Sequence, residues 1–332
     1  MAVQPAAGLR EHQSRVIGAL LGVHAGDSLG ASVEFQSHAQ IRRRYPNGLA
    51  DIIGGGHLSW PAGHATADTD MTRGVLLAYR AARRNPRQDV AVLAGNNFLA
   101  WYRGDWPGRR PGSQPVDMGG ATRKGLDTFA VTRDPERSGA GSGSAGNGSL
   151  MRCLPTGLFQ QDPKLLVSES MRISRITHDD ARCTVSCAVY NRIAAALVRG
   201  TDPDRAVDLG LAMAAGLEGP KQRGGVFEAV ELGTRLSVER MASEGPDPTE
   251  LRGRCGGSVL ETLAVAVAAV LDRRRLEDVL VDVVRIGSDA DTNAAVAGGL
   301  LGARDGAAAI PARWRALLQF GGEFARIATE LT

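Results

Sequence analysis

The chain has 332 residues, of which 43% are hydrophobic and 23% charged, as in an ordinary soluble globular protein of one large domain or two. The net charge of +3 is too small to indicate a nucleic-acid-binding protein. No stretch reaches the roughly 18 apolar residues of a membrane span, and the N-terminus lacks a long apolar core. Cys153, Cys183, Cys187 and Cys255 show no metal-ligand spacing, so we expect buried free thiols and a cytoplasmic protein.

Helical spacing of apolar residues runs through nearly the whole chain, and almost nothing alternates with the period of a strand. The sequence therefore predicts an all-α fold of many short helices, with one domain over 1–332 and a flexible N-terminus over 1–13. The first helix, 14–29, carries small residues that let another helix approach closely. The helix at 258–271 is apolar on nearly every face and should be the buried central helix. The other predicted helices span 69–83, 90–102, 165–176, 179–199, 206–215, 225–241 and 276–286.

The stretch 287–293, Gly-Ser-Asp-Ala-Asp-Thr-Asn, places two carboxylates just before a helix of small residues. If the segment before that helix is extended, Asp289, Asp291 and the hydroxyl of Thr292 converge on one point. The two carboxylates would repel one another unless a cation or a shared proton compensates them, and oxygen ligands fit Mg²⁺ or Ca²⁺ better than Zn²⁺. The alternative is a cluster of helix caps, because Asp, Thr and Asn are capping residues.

A second stretch, 63–73, repeats this arrangement with Thr66, Asp68, Thr69 and Asp70 before an apolar helical segment. Two acidic helix starts in one chain favour a shared cluster over two separate caps. Aspartates in a first turn also interact favourably with the helix dipole without any metal. We keep that simpler interpretation for Asp70.

Other polar positions have a structural and a functional interpretation. Asp27, near the end of the first helix, is interpreted as a cap or a structural hydrogen-bond partner rather than a catalyst. The glycines of 117–122, Gly119 among them, could let a phosphate approach backbone N–H groups or could form a flexible lead-in. Residues 138–149 are low in complexity and resemble a linker, unless they form a ligand loop. His178, at a helix junction, is by itself more typical of a structural hydrogen-bonding residue.

Five segments carry a family resemblance when they are taken together and in chain order: 22–34, 66–69, 146–152, 177–178 and 287–293. They resemble the ADP-ribosylglycohydrolase family, also called the ADP-ribosylhydrolases, which includes the dinitrogenase reductase-activating glycohydrolases. The resemblance runs from about residue 16 to about residue 306. One position departs from the family pattern: Ala67 stands where the family has the first of two adjacent aspartates, by natural loss or by an introduced substitution.

The resemblance implies hydrolysis of the bond at the anomeric carbon of ADP-ribose, through a transition state like an oxocarbenium ion. The acceptor stays open among arginine, serine, a polymer of ADP-ribose, an acetyl ester and a base. The expected partners are the ADP-ribosylated substrate and ADP-ribose, with nucleic acid only where it carries the modification, and the chain is expected to be a monomer without a membrane partner. The implied site holds two Mg²⁺ ions through Thr66, Asp68, Asp289, Asp291 and Thr292.

The resemblance also implies roles for residues outside this ligand set. Glu34 becomes a candidate general base or gate, beside Asp68 and Asp289 as the other candidate catalytic carboxylates. His178 is expected to bind substrate rather than transfer a proton. By the resemblance, Ser144, Gly146 and Asn147 would line the diphosphate and the distal ribose. Gly119 and Gly148 complete the expected substrate-binding residues.

Two alternatives compete with a fully active enzyme. The missing carboxylate at Ala67 weakens a two-metal site, so the chain could bind ADP-ribose without turning it over. A metal-dependent hydrolase of another nucleotide or small glycoside would use the same ligands. Our expectation is a hydrolase impaired by Ala67.

Overall fold

The computed structural model describes residues 7–219 and 225–332. Within these ranges the chain forms sixteen α-helices, three short 3-10 helices and isolated bridges in place of strands, which confirms the all-α fold. The 3-10 helices span Pro135–Arg137, Asn147–Arg152 and Ala307–Ala309. The α-helices are α1 (Ala7–Gly30), α2 (His38–Arg44), α3 (Ala67–Arg84), α4 (Val90–Tyr102), α5 (Gly120–Thr132), α6 (Leu154–Phe159), α7 (Pro163–Arg175), α8 (Ala181–Val198), α9 (Pro203–Glu218), α10 (Val226–Gly233), α11 (Val238–Glu244), α12 (Val259–Leu271), α13 (Leu276–Ile286), α14 (Ala290–Asp305), α15 (Ala312–Arg315) and α16 (Gly321–Leu331).

Most predicted helices begin and end within about three residues of the observed bounds, but two predictions differ more. The helix predicted over 225–241 is wrong as one element, because α10 ends before Thr234 and Ser237 caps a new helix by accepting from the backbone N–H of Arg240. The start of the chain is helical from Ala7, although 1–13 was expected to be flexible. Its residues are held by long-range contacts that the sequence pattern does not show: Nδ1 of His12 lies 2.8 Å from the carbonyl oxygen of Val198. Residues 1–6 lie outside the described residues.

The most extensive helix–helix contact in the described residues joins α1 to α14. Glycine permits it: a Cβ added to Gly22 would lie 2.1 Å from the carbonyl oxygen of Gly298. At the end of the contact, a Cβ on Gly30 would lie 2.5 Å from Cα of Asp291. The close approach that the small residues of the first helix predicted is therefore present. It sets the end of α1, and the loop after it, against the start of α14.

Helix α12 is buried along nearly its whole length, as expected from its apolar sequence, and packs on α8, α10 and α14. All four cysteines are buried free thiols, also as expected. One of them touches the loop before α6, since the thiol of Cys183 donates to the carbonyl oxygen of Gly146 at 3.3 Å. Among the described residues, no helix is both long and apolar enough to cross a membrane.

Candidate functional site

A cleft of about 430 Å³ opens where the starts of α3, α5 and α14 meet the loop after α1 and the 3-10 helix at 147–152. All but one of the residues predicted for the site line this cleft. The exception is Ser144, whose carbonyl oxygen lies 3.7 Å from the thiol sulfur of Cys183. The predicted residues that line the cleft are Glu34, Thr66, Asp68, Gly119, Gly146, Asn147, Gly148, His178, Asp289, Asp291 and Thr292.

The segment before α14 is not extended, so the geometric premise for its carboxylates is wrong. Ser288 has a positive φ of 63°, and Asp289 occupies the N-cap position of α14. The carboxylate of Asp289 makes no capping hydrogen bond; it accepts from the side-chain amide of Asn147 at 2.7 Å. The first helical turn supplies the convergence instead, because Asp291 and Thr292 follow on the same helix start.

Glu34 reaches the cluster through its neighbours' backbone. The N–H of Phe35 donates to the carbonyl oxygen of Ser288 at 2.7 Å, and the N–H of Ser288 donates to that of Gln36 at 2.8 Å. This reciprocal pair fixes the loop after α1 to the start of α14. As a result, carboxylate oxygens of Glu34, Asp289 and Asp291 lie within 4.8 Å of one another.

The start of α3 meets the start of α14 at Asp68. Thr66 caps α3 by accepting from the backbone N–H of Asp68 at 3.3 Å. Oδ2 of Asp68 lies 3.4 Å from the hydroxyl of Thr66 and 3.4 Å from that of Thr292. Its Oδ1 is buried without a hydrogen-bond partner among the described residues. A buried carboxylate oxygen in that state lacks an electrostatic partner, and a bound cation would be such a partner.

Asp27 holds the start of α3 in place from α1. One of its oxygens accepts from the backbone N–H groups of Thr66 and Thr69, at 3.1 and 3.2 Å, and from the hydroxyl of Thr69. Burial raises the pKa of Asp27 to about 7, although these hydrogen bonds oppose the rise. These hydrogen bonds agree with Asp27 as a structural hydrogen-bond partner, although its other oxygen, like Oδ1 of Asp68, has no partner among the described residues.

Asp117 is a cleft residue for which the sequence analysis assigned no role. Its Oδ2 accepts from the backbone N–H of Ala67 at 2.5 Å, and burial raises its pKa. The signal for it in the sequence was an acidic residue two positions before the glycines at the start of α5, but that pattern alone suggests a function only for the glycines. Asp117 thus sets a carboxylate beside the position at which the family pattern has another.

Asp70 lies in the first turn of α3, but its carboxylate faces away from the cleft. It accepts from the indole N–H groups of Trp101 and Trp106, at 2.9 and 2.8 Å. Burial raises its pKa to about 7. Its exclusion from the metal ligands agrees with this position.

Four carboxylates form one side of the cleft, which we call the acidic wall: Glu34, Asp68, Asp289 and Asp291. Burial raises the pKa of all four, and neighbouring carboxylates add to the rise for Glu34, Asp68 and Asp291. The pKa of Glu34 reaches about 8. Protons or a cation must therefore balance this wall. Its oxygen-only donors fit a hard divalent cation, whereas the methyl group of Ala67 contributes no ligand.

Another part of the lining, His178 with Gly146 and Gly148, is backed by the fully buried Thr177 and Arg152, and we call these five residues the histidine wall. Nδ1 of His178 lies 2.7 Å from the hydroxyl of Thr177, and Arg152 donates to that same hydroxyl at 2.7 Å. The other ring nitrogen of His178 faces the loop, since it would lie 3.2 Å from a Cβ on Gly148. Burial, and secondarily Arg152, lowers the pKa of His178 to about 3.

The low-complexity stretch 138–149 is a fixed loop rather than a linker. The backbone N–H of Gly141 donates to Oδ1 of Asp179 at 2.7 Å, and that of Asn147 to the carbonyl oxygen of Gly257 at 3.0 Å. The side-chain amide of Asn147 donates to Thr262 at 3.0 Å as well as to Asp289 at 2.7 Å. Asn147 thereby ties the loop to the acidic wall.

Comparison with known proteins gives concordant results. The family model for ADP-ribosylglycohydrolase matches residues 9–332. The chain is 28% identical over 302 residues (90% of this chain, 88% of the relative) to the ADP-ribosyl-[dinitrogen reductase] glycohydrolase of Rhodospirillum rubrum. It is 27% identical over 320 residues (96% and 77%) to the ADP-ribosylarginine hydrolase Tri1 of Pseudomonas putida (strain GB-1). A solved structure named ADP-ribosylglycohydrolase-related protein complex superposes with a TM-score of 0.75 at 28% identity, covering 97% of this chain and 98% of that chain.

Proposed function

Because this chain belongs to the ADP-ribosylglycohydrolase family and is a hydrolase acting on glycosyl bonds, we propose that it releases ADP-ribose from a modified arginine side chain in a reaction that requires Mg²⁺. Two relatives named ADP-ribosylarginine hydrolase favour arginine as the acceptor. The observation that carries the Mg²⁺ requirement is the acidic wall, where three carboxylates lie within 4.8 Å of one another and Asp68 keeps a buried oxygen without a partner.

Thr66, Asp68, Asp289, Asp291 and Thr292 are the residues that would hold the ions. Bound Mg²⁺ would orient ribose hydroxyls and lower the pKa of a water molecule. The protein keeps these ligands in place through the backbone contacts of α1 with α14 and through the cap of α3, so little reorganisation is needed on binding. The negative charge of the acidic wall also stabilises the positive charge that develops at the anomeric carbon.

Glu34 is the proton acceptor that we propose. It is partly exposed at the wall, whereas Asp68 and Asp291 are buried and Asp289 is bound to Asn147. A carboxylate at the edge of the cluster can approach a water molecule without giving up a ligand position. Burial and the neighbouring carboxylates raise its pKa to about 8, and cations bound at the wall would lower this pKa again and so leave Glu34 able to accept a proton near neutral pH.

Ala67 is expected to slow the reaction. The position lies at the first residue of α3, between the capping Thr66 and the cluster residue Asp68, and its backbone N–H is taken by Asp117. A lost carboxylate removes one negative charge and one or two oxygens from a site for an ion with strict octahedral geometry. We expect Ala67→Asp to raise the affinity for Mg²⁺ and to raise the rate by a factor on the order of 100 or more.

The test is single-turnover release of ADP-ribose from arginine, serine and other defined linkages, at several Mg²⁺ concentrations. This chain is compared with Ala67→Asp and with Ala62→Asp, which adds the same charge at an exposed position of the preceding loop. The proposal is supported if ADP-ribose is released from arginine and if, of the two variants, only Ala67→Asp releases it faster than the unsubstituted chain. Tight ADP-ribose binding without release by any of the three proteins indicates a binding protein. Cleavage of free nucleotides in preference to every ADP-ribosylated linkage indicates a different hydrolase.

We also propose that the protein acts in the cytoplasm as a monomer. The four free thiols support a reducing compartment, because two of them lie one helical turn apart on α8 and remain unpaired. Fractionation of cells would check the location, and sedimentation equilibrium the monomeric state.

A further inference from the structure

Arg152 is a fully buried arginine whose guanidinium donates to neutral oxygen acceptors rather than to a carboxylate. One terminal nitrogen of its guanidinium donates to the carbonyl oxygen of Gly148 at 2.8 Å, and the other donates to the hydroxyl of Thr177 at 2.7 Å. The third nitrogen, Nε, has no hydrogen-bond partner among the described residues. The guanidinium lies over the ring of Phe98, 4.5 Å from the centroid. In the described residues it takes part in no ion pair. A buried cation is costly, so its hydrogen bonds define what it does here.

The hydroxyl of Thr177 has one hydrogen to donate. Its oxygen already accepts from Arg152, and its other neighbour is Nδ1 of His178 at 2.7 Å. If Nδ1 carried a proton, it would donate to that oxygen, and the hydroxyl hydrogen would be left without an acceptor in a fully buried position. The arrangement is satisfied when the hydroxyl donates to an unprotonated Nδ1. The neutral ring then carries its proton on Nε2, the nitrogen that faces the cleft.

We propose that Arg152 and Thr177 are positioning residues that hold His178 in the neutral Nε2–H tautomer, so that the imidazole presents a hydrogen-bond donor to the cleft. Because that donor points toward the loop at Gly146 and Gly148, it suits an acceptor oxygen of a phosphate or ribose group. This choice of ligand rests on the proposed function, whereas the tautomer does not.

The charge of the guanidinium adds to the effect of the hydrogen bonds. Arg152 opposes a second proton on the ring, and burial opposes it more strongly; together they lower the pKa of His178 to about 3. Burial also lowers the pKa of Arg152, to about 10, which leaves it charged at neutral pH. A donor built in this way does not change its protonation state over the pH range in which the acidic wall does.

The test reads the ring nitrogens directly, by long-range ¹H–¹⁵N correlation at pH 7 in the absence of ligand. His178→Gln assigns the signals among the six histidines of the chain. We expect a protonated Nε2 and an unprotonated Nδ1 in the unsubstituted chain and in Thr177→Ser, which keeps the hydroxyl. Thr177→Val keeps the shape but not the hydroxyl, and should give a mixture of tautomers. Arg152→Lys, which keeps the charge but not the fork of donors, should shift the signals in the same direction.

ADP-ribose binding gives the second readout. Loss of one oriented hydrogen bond should raise Kd about tenfold in Thr177→Val, whereas Thr177→Ser should stay within about twofold of the unsubstituted chain. A protonated Nδ1 in the unsubstituted chain would overturn the proposal even if Thr177→Val failed to fold. Unchanged tautomers in both Thr177→Val and Arg152→Lys would overturn it as well. An intact Nε2–H signal without ADP-ribose binding would support the positioning of His178 by Arg152 and Thr177, and would count against the proposed function instead.

Discussion

The side chains of both walls are largely withdrawn from water, Glu34 only partly, yet desolvation has opposite consequences for the two walls. The acidic wall carries four carboxylates, and desolvation raises their pKa. The histidine wall carries an imidazole whose pKa desolvation lowers to about 3. Each wall is therefore driven toward the neutral state. The difference lies in the partners: Nδ1 of His178 is satisfied from within by the hydroxyl of Thr177, whereas Asp68 on the acidic wall keeps a carboxylate oxygen without a partner.

This contrast separates an imidazole whose inner hydrogen bond is already made from a carboxylate cluster that needs a ligand. In the histidine wall the inner hydrogen bonds of His178 and Thr177 are made, although Nε of Arg152 has no partner among the described residues. The acidic wall has more negative charge than its own hydrogen-bond donors can balance. Experiments that change one wall at a time should therefore give different signatures.

The largest effect should come from removing a carboxylate of the acidic wall. Asp291→Ala should abolish the stabilisation by Mg²⁺, which would otherwise be about 2.7 kcal/mol at 100 times Kd. In Mg²⁺-free buffer at alkaline pH, where more of the wall is ionised, the same variant should melt at a higher temperature than the unsubstituted chain, because one buried like charge is gone. Asp208→Ala, at an exposed aspartate of α9, is the control and should leave both behaviours unchanged. An unaltered Mg²⁺ shift in Asp291→Ala would remove this residue from the ligands.

A smaller effect is expected from blocking the loop beside the histidine wall. A Cβ at Gly146 has room, with Nε2 of His178 as its nearest neighbour at 3.6 Å. Gly146→Val should therefore fold with unchanged helical content while its side chain fills the approach to the backbone. ADP-ribose binding should weaken by about 2 kcal/mol, measured by calorimetry. Gly216→Val, also in open space but on α9, is the matched control. Equal affinity in Gly146→Val would show that the ligand does not approach this loop.

The smallest effect concerns pH. The folded pKa of Glu34, about 8, exceeds its ordinary value of 4.5, so the folded protein binds a proton that the unfolded chain releases between these values. Its contribution to stability is full below about pH 4.5 and is lost as the pH rises through 8. His178 has the opposite sign, with stability lost as the pH falls from about 6.5 toward 3. The window from pH 7 to 9 therefore separates the buried carboxylates from His178, and a substitution of Glu34 is needed to separate Glu34 from Asp27 and Asp70, whose pKa values are about 7.

Thermal melts in chelator should show stability falling from pH 7 to 9, by on the order of 1 kcal/mol for Glu34 after allowance for its partial exposure. Glu34→Gln should flatten this slope, and Glu11→Gln, at a largely exposed glutamate of α1, should not. Saturating Mg²⁺ should reduce the slope in the unsubstituted chain, because the cation replaces the protons. A slope that Glu34→Gln leaves intact would assign the titration to other groups.

Periodicity predicted helices well, because amphipathic packing leaves its period in the sequence. Both α4 and α13 have the predicted bounds, and α12 is buried as its apolar sequence indicates. Boundaries were less accurate where long-range contacts or caps decide them. Residues 7–13 are helical through contacts with distant segments, and Ser237 starts a new helix inside a region with continuous helical spacing.

The residues of the cleft could be named from motifs, but their geometry could not. Asp289 was placed in an extended segment, whereas the positive φ of Ser288 and the backbone bonds to the loop after α1 turn the chain directly into α14. Asp117 was missed because its role depends on the N–H of Ala67, a contact between segments that share no sequence pattern. The hydrogen-bond partners of Arg152 are likewise three-dimensional facts: the sequence shows an arginine inside a motif and does not show what it touches.

The meeting of α3 with α14 has a consequence for how the protein acquires its site. Asp68 and Thr292 touch although 224 residues separate them in sequence. During synthesis at about 5 to 20 residues per second, the start of α3 emerges on the order of 10 to 50 s before its partner. Over that interval α1 also lacks the helix that covers its glycine-rich face. Contacts of such long sequence separation form slowly, so the cleft should be among the last parts of the nascent chain to acquire its shape, and partly made chains should depend on chaperones to keep that face covered.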